Sequence, residues 1–155
     1  MDTPAPRIRL VDPADEPAWT ALYAGYRAFY RLEPDAEIVR RVWGWLLGRE
    51  HGLRGFVATD AAGGLLGLAH VRTFARPSSG GIGLYLDDLF TAPEARGRGV
   101  ATALLDHLAA LAEAEGANVV RWITAADNAT ARSVYDRRAT ATPWVTYDLA
   151  PRPRA

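Results

Sequence analysis

The feature that most constrains this chain is a strand that feeds a glycine-rich turn into a helix, all between Gly83 and Leu111. From Ile82 to Thr91 the residues are apolar and aromatic enough for a strand. From Val100 onward, Val100, Leu104, Leu108 and Leu111 recur at helical spacing. Between them lies Arg96-Gly97-Arg98-Gly99. A turn of this kind at a helix N-terminus makes an anion site, because unpaired backbone N–H groups converge there and the helix dipole adds partial positive charge. Arg96 and Arg98 strengthen that field. Two familiar phosphate loops do not fit. A P-loop needs a Lys after its second glycine and the chain has no Lys, and a dinucleotide fingerprint needs a third glycine where Thr102 stands.

What remains is Arg96-x-x-Gly99-x-Ala101, preceded by Leu89-Phe90-Thr91-x-Pro93. This resembles the pyrophosphate loop of the GNAT N-acetyltransferase superfamily, whose pattern is Gln or Arg, two residues, Gly, one residue, then Gly or Ala. Downstream, Asn128, Ala131, Arg132 and Tyr135 stand in A-D-N-A-T-A-R-S-V-Y-D, similar to the family's second signature. Trp19 with Tyr26, Phe29 and Tyr30, and Tyr85-Leu86-Asp87-Asp88-Leu89, look like the histone and polyamine acetyltransferase branch and its bacterial relatives. The resemblance implies an α/β fold, a mixed and mostly antiparallel central sheet flanked by about four helices, with a splay between two central strands. It implies acetyl-coenzyme A as co-substrate, with Arg96, Gly97, Arg98, Gly99, Val100 and Ala101 around the diphosphate. Leu89, Phe90, Thr91, Asn128, Ala131 and Tyr135 would line the pantetheine and thioester, and homodimers are common in the family.

At 155 residues the chain suits one domain, 1–155, with 151–155 as a flexible tail. Its formal net charge of zero gives no bulk attraction to nucleic acid. Without cysteine there is no acyl-cysteine intermediate and no thiolate metal site, and no metal is expected. No run reaches membrane-span length, and Met1 to Pro6 lacks the basic and apolar regions of a signal peptide, so a cytoplasmic protein is expected.

In chain order, Arg7 to Val11 reads as a strand and a helix capped by Asp15 or a neighbour runs to about Arg31. On it Trp19, Leu22, Tyr23, Tyr26, Phe29 and Tyr30 form a stripe. It suits the core, but three hydroxyls need partners, which leaves Tyr23, Tyr26 and Tyr30 open as pocket residues. A second helix spans Asp35 to Leu47, with Leu47 on its apolar face, and Gly48 ends it. Leu53 to Asp60 and Leu65 to Arg76 read as a hairpin, with Leu66, Leu68, His70, Arg72 and Phe74 on one face. His70 is a base, a substrate contact or a hydrogen-bonded core residue. Pro77 to Gly81 reads as a flexible loop. A strand over Asn118 to Ala125, a helix over Asn128 to Arg137 and a closing strand over Trp144 to Leu149 complete the pattern.

Moving an acetyl group from a thioester to an amine needs an anion cradle, an oxyanion donor, a deprotonated amine and a proton for the thiolate. The Arg96 to Ala101 turn supplies the first. A backbone N–H near Leu89 to Thr91 would supply the second, if the splay implied by the resemblance exposes it. Asn128, Ala131 and Tyr135 share a helix face, and the Tyr135 phenol is close enough in pKa to a thiol to act as general acid. Asn128 as a helix cap and Tyr135 as a packing ring are the plainer alternatives. For the base, Asp87 comes first, as water-linked base or amine anchor, and Asp88 is its rival. In a regular strand they point to opposite faces, and only a bulge would change that. The expected activity is acetyl-coenzyme A-dependent N-acetylation of a small-molecule amine, a polyamine, amino acid or amino metabolite; the alternative is a non-catalytic acyl-coenzyme A binding or sensing module. Tyr26, Tyr30, His70 and Asp87 are the expected substrate contacts.

Overall fold

The computed structural model describes residues 4–154. Met1, Asp2 and Thr3 of the segment read for a leader, and Ala155 of the tail, lie outside them. The chain falls into two compact units, Met1–Ile123 and Thr124–Ala155.

In the first unit five strands form one sheet in sequence order: β1 (Arg7–Leu10), β2 (Leu53–Thr59), β3 (Leu65–Arg76), β4 (Gly81–Thr91) and β5 (Val120–Arg121). The first four pair antiparallel and only β4 with β5 is parallel, the mixed and mostly antiparallel sheet expected. Three helices belong to this unit: α1 (Glu16–Phe29), α2 (Ala36–Gly48) and α3 (Val100–Glu115).

Strand alternation decides which helix covers which face. Gly55 of β2 and its partner His70 of β3 face α1 and α2: a Cβ at Gly55 would press on Leu46, and the His70 ring packs against Trp19. The alternate residues face α3, where a Cβ at Gly67 would strike Val100 and the Phe56 ring meets His107 at 4.9 Å. Trp19, Val57, Leu68, Val71, Leu84, Leu104 and Leu108 are fully buried between these layers, each worth about 1.5–3 kcal/mol of burial.

Element ends depart from the sequence reading in instructive ways. Of the cap positions expected at Asp15 or a neighbour, Asp12 makes the side-chain cap, closing a capping box with Asp15 over a short 3-10 turn, Pro13–Asp15, while Asp15 stands at the start of α1 without a side-chain cap bond. Asp15 is drawn instead into a two-pronged pair with Arg9, at 2.6 and 2.8 Å. The first helix stops at Phe29, short of Arg31, whose φ is 56°. Asp35 does cap the second, accepting from Glu37 and Ile38, but the helix includes Gly48 and its left-handed stop falls on Arg49, φ 52°. Leu47 is exposed rather than on the apolar face. The Pro77 to Gly81 connection is a tight 3-10 turn, tied by hydrogen bonds from Arg76 to Asn118 and from Asn118 to Ser79.

The strand expected from Asn118 to Ala125 shrinks to Val120–Arg121, paired to β4 only at Leu84 and Tyr85. Beyond Tyr85, β4 runs on to Thr91 with β3 on one side and no β5 pairing on the other. That divergence is the splay.

The second unit contains α4 (Ala129–Tyr135), capped by Asn128. The closing strand expected over Trp144 to Leu149 is absent among the described residues, and Trp144, Val145, Tyr147 and Leu149 stand exposed. Alternating apolar residues make a strand only when a neighbouring edge receives their N–H and C=O groups, and this segment has no such ladder.

Candidate active site

The site is built around a register shift. In the β3–β4 ladder His70 pairs with Asp88 and Val71 with Leu86, so Asp87 is an extra residue on β4. Such a bulge bends the strand and re-aims its side chains. Both carboxylates then reach the face covered by α1 and α2: Asp88 bonds His70 and Asp87 bonds Arg72, two β3 residues of the same parity. The opposite-face expectation for a regular strand is corrected by this one inserted residue.

The same shift re-aims the backbone. Leu84 N–H bonds Val119 O at 2.9 Å, toward β5, whereas Ala92 N–H bonds Leu66 O at 2.9 Å, toward β3. Strict alternation would send residues of one parity the same way, so the direction has switched at the bulge. Counting back from Ala92, the N–H groups of Leu89 and Thr91 turn to the open edge of β4 and that of Phe90 to β3. Phe90 contributes a buried ring against Tyr26 and Gly25 rather than a donor.

His70 is fully buried and both of its nitrogens are engaged. Trp19 Nε1–H donates to Nε2 at 3.1 Å, and Nδ1 lies 2.7 Å from Asp88 Oδ2. The direct substrate contact or base expected of His70 is therefore corrected, since neither nitrogen is open to a ligand. Tyr26 adds a second donor to Asp88. Burial pushes the Asp88 carboxyl up, but the His70 ring and then the Tyr26 hydrogen bond outweigh it and hold it below the usual range.

Asp87 differs. Its side chain is 31% exposed and paired with Arg72 at 3.0 Å. Burial raises its carboxyl above the ordinary value despite Arg72, and the charge on Asp88 adds to the rise. Of the two neighbours, Asp87 is the one disposed to take a proton and Asp88 the one held as an anion.

An aromatic ladder climbs α1 beside them. Trp19 stacks on Tyr23 at 5.0 Å, Tyr23 on Tyr26 at 5.6 Å, and Tyr26 meets Tyr30 at 4.9 Å. Burial, and then the Asp88 charge, raises the Tyr23 phenol to about 12 and pushes Tyr26 and Tyr30 up as well. These phenols stay protonated, and Tyr26 donates to Asp88 while Tyr23 accepts from Arg27. The ladder runs from the core at Trp19 to the surface at Tyr30, so its outer members border solvent.

At the far end of β4 the turn is bare. Arg96, Gly97, Arg98 and Gly99 are all exposed, and both glycines have positive φ, 74° and 75°. A Cβ at either would meet nothing within 4 Å. No side chain caps α3. Ala103 N–H makes the bond back to Gly99 O, at 2.9 Å, so the N–H groups of Val100, Ala101 and Thr102 have no helical partner. Arg96 lies 5.9 Å over the Phe29 ring. An exposed, uncapped helix start with two arginines fits a diphosphate.

In the second unit Asn128 Oδ1 accepts from Ala131 N–H at 3.4 Å, so the capping alternative is realised, and Nδ2 reaches Thr124 Oγ1 at 3.4 Å. Asn128, Ala131 and Tyr135 are half-buried while Ala129, Thr130, Arg132 and Ser133 are exposed, as one shared face requires.

Two residues carry more of the site than the sequence suggested. Arg72 was visible only as a member of the Leu66 to Phe74 face. Trp19 was visible as core, and the useful signal was its indole N–H, a donor that needs an acceptor when buried. Among the described residues no group of three or more His, Cys, Asp or Glu is arranged to hold a metal, and no helix is long and apolar enough to cross a membrane.

Comparison with known proteins agrees with this architecture. The profile of the Acetyltransferase (GNAT) family matches residues 19–139. The chain is similar to the D-amino-acid N-acetyltransferase HPA3 of Saccharomyces cerevisiae, with 26% identity over 141 residues, 90% of this chain and 88% of the relative. It is similar in structure to a probable acetyltransferase at TM-score 0.83 and 25% identity, covering 96% of this chain and 99% of the other. The ribosomal-protein-alanine N-acetyltransferase of Brucella melitensis biovar Abortus shares the fold, at TM-score 0.80 and 22% identity over 95% and 99% of the two chains.

Proposed function

This chain belongs to the Acetyltransferase (GNAT) family, and from that premise we propose that it moves an acetyl group from acetyl-coenzyme A to a primary amine of a small molecule by direct attack. The observation that carries the reading is the bulge at Asp87. One inserted residue gives β4 two carboxylates on a single face and turns two N–H groups to its open edge.

Acetyl-coenzyme A supplies the activated thioester. The N–H groups of Val100, Ala101 and Thr102, with Arg96 and Arg98, hold its diphosphate, and Gly97 and Gly99 let the backbone approach closely. Leu89 or Thr91 N–H stabilises the carbonyl oxygen as it gains charge. Asp87, directly or through water, accepts the proton that an alkylammonium with a pKa of about 10 must lose before attack. Asp88 remains an anion and Tyr26 and Tyr30 border the acceptor. Tyr135 is the proposed general acid for the departing thiolate, with Asn128 and Ala131 beside it on the pantetheine.

An acidic pair favours amines without a competing net negative charge, so polyamines and amino metabolites join amino acids as acceptors. The similarity to a D-amino-acid N-acetyltransferase puts D-amino acids on the same panel. Thiol release from acetyl-coenzyme A is expected with at least one class of amine. Tyr135→Phe should lower kcat roughly 100-fold while leaving coenzyme A affinity intact. Coenzyme A binding with no turnover on any amine would establish the binding-module alternative instead.

A further inference from the structure

Fully buried at the centre of the sheet is a histidine that the acetyl-transfer reading gives no chemical step. We propose that His70 is a positioning residue: clamped from behind by Trp19, it selects Asp88 as its partner across the strand and so fixes the bulge at Asp87. The proposal deepens the acetyltransferase reading and rests on it for its kinetic consequences, though not for its geometry.

The tautomer follows from the donors. An indole N–H can only donate, so the His70 Nε2 that lies 3.1 Å from Trp19 Nε1 is the bare nitrogen. The ring proton therefore sits on Nδ1 and is given to Asp88 Oδ2 at 2.7 Å. A second proton on Nε2 would set N–H against N–H in a site with no accessible surface. His70 thus has one job, donating to one carboxylate, and Trp19 holds it there.

Register explains why that matters. Val71 pairs with Leu86, so in a bulge-free ladder His70 would face Asp87 and Ala69 would face Asp88. Ala69 lies on the face covered by α3, where Phe56 and Val100 pack. A carboxylate turned into that layer, where Phe56 packs on the His107 ring, would be buried away from the Trp19-backed His70 and from Tyr26, at a cost in free energy. The His70 to Asp88 bond, helped by Tyr26, draws Asp88 to the opposite face and leaves Asp87 as the extra residue. The two open-edge N–H groups and the half-exposed carboxylate of Asp87 are consequences of that choice.

Two substitutions separate the two bonds of the ring. His70→Asn keeps an N–H at the Nδ1 place, the same number of bonds from Cβ, and gives up the acceptor for Trp19. His70→Gln reaches the Nε2 place and gives up the donor to Asp88. The Asn variant should retain kcat within about fivefold of the parent, since one neutral hydrogen bond is lost. The Gln variant should lose roughly 100-fold in kcat, the scale of a displaced catalytic geometry. If Gln performs as well as Asn, or both keep the parent kcat, the proposal is overturned. Should either variant fail to fold, the unaltered protein decides it: ¹⁵N NMR at neutral pH should show His70 protonated on Nδ1 alone. An Nε2-protonated ring would sink the idea. A protein that acetylates no amine yet shows the Nδ1 tautomer would reject the enzymatic reading and leave the register argument standing.

Discussion

The two ends of β4 are stabilised in opposite ways. At the bulge, Trp19, His70, Asp88 and Tyr26 satisfy one another in a buried chain, and the polar groups are in place before any ligand arrives. At the Arg96 to Gly99 turn the side chains are exposed, the glycines touch nothing that a Cβ would strike, and the first N–H groups of α3 lack a cap. One end is preorganised by packing and needs the fold to persist. The other is held mainly by backbone conformation and, in the function proposed above, is completed by its ligand.

The largest expected difference is in stability. Trp19→Ala removes a fully buried ring that packs on Tyr23 and Trp43 and strips His70 of its donor, so it should cost about 3–5 kcal/mol. Gly99→Ala forces a left-handed conformation on a residue with a Cβ, for about 1–2 kcal/mol, with no clash to add. In urea unfolding Trp19→Ala should fall far below Gly99→Ala, while calorimetric titration with coenzyme A should show the reverse order of harm in the protein that remains folded. If the glycine variant were the less stable, the contrast between packed and bare ends would be wrong.

A smaller effect sharpens the electrostatic half of the contrast. Arg96→Ala and Arg98→Ala should each weaken coenzyme A binding by roughly three- to tenfold at low salt and much less near 1 M salt, because exposed charges are screened. Neither should shift the unfolding midpoint measurably. A salt-independent loss would mean that these side chains shape the turn rather than charge it.

The same contrast explains what the sequence made legible. The turn's shape could be read because its demands are written in residue type: glycine where φ is positive and an apolar period where the helix begins. The bulge could not, because which β4 residue is extra depends on pairing with β3, and nothing in Tyr85-Leu86-Asp87-Asp88-Leu89 distinguishes an inserted Asp87 from a regular one. His70 was for the same reason readable as a candidate but not as a partner of Asp88. Trp144 to Leu149 fails in the other direction. Its alternation is a strand's, yet no ladder receives it, so periodicity overstated what pairing alone can grant.

The finest test concerns pH and the two neighbouring carboxylates. Asp88, held below the ordinary range, contributes stability that is present above its unfolded pKa of about 3.9 and lost as pH falls through its lower folded value. Asp87 has the opposite sign: its raised carboxyl disfavours the charged folded form, and that penalty is relieved as pH falls through its folded value. Activity that needs Asp87 as a carboxylate should therefore rise along an acid limb set by Asp87 and not by Asp88. Arg72 is the charge that opposes the rise, so Arg72→Gln should move this limb to higher pH in kcat/KM, and Arg72→Lys should move it less. Asp87→Asn should remove the limb altogether at the expense of rate. Were the limb to move in response to Asp88→Asn but stay fixed in Arg72→Gln, the assignment of the two carboxylates would have to be exchanged.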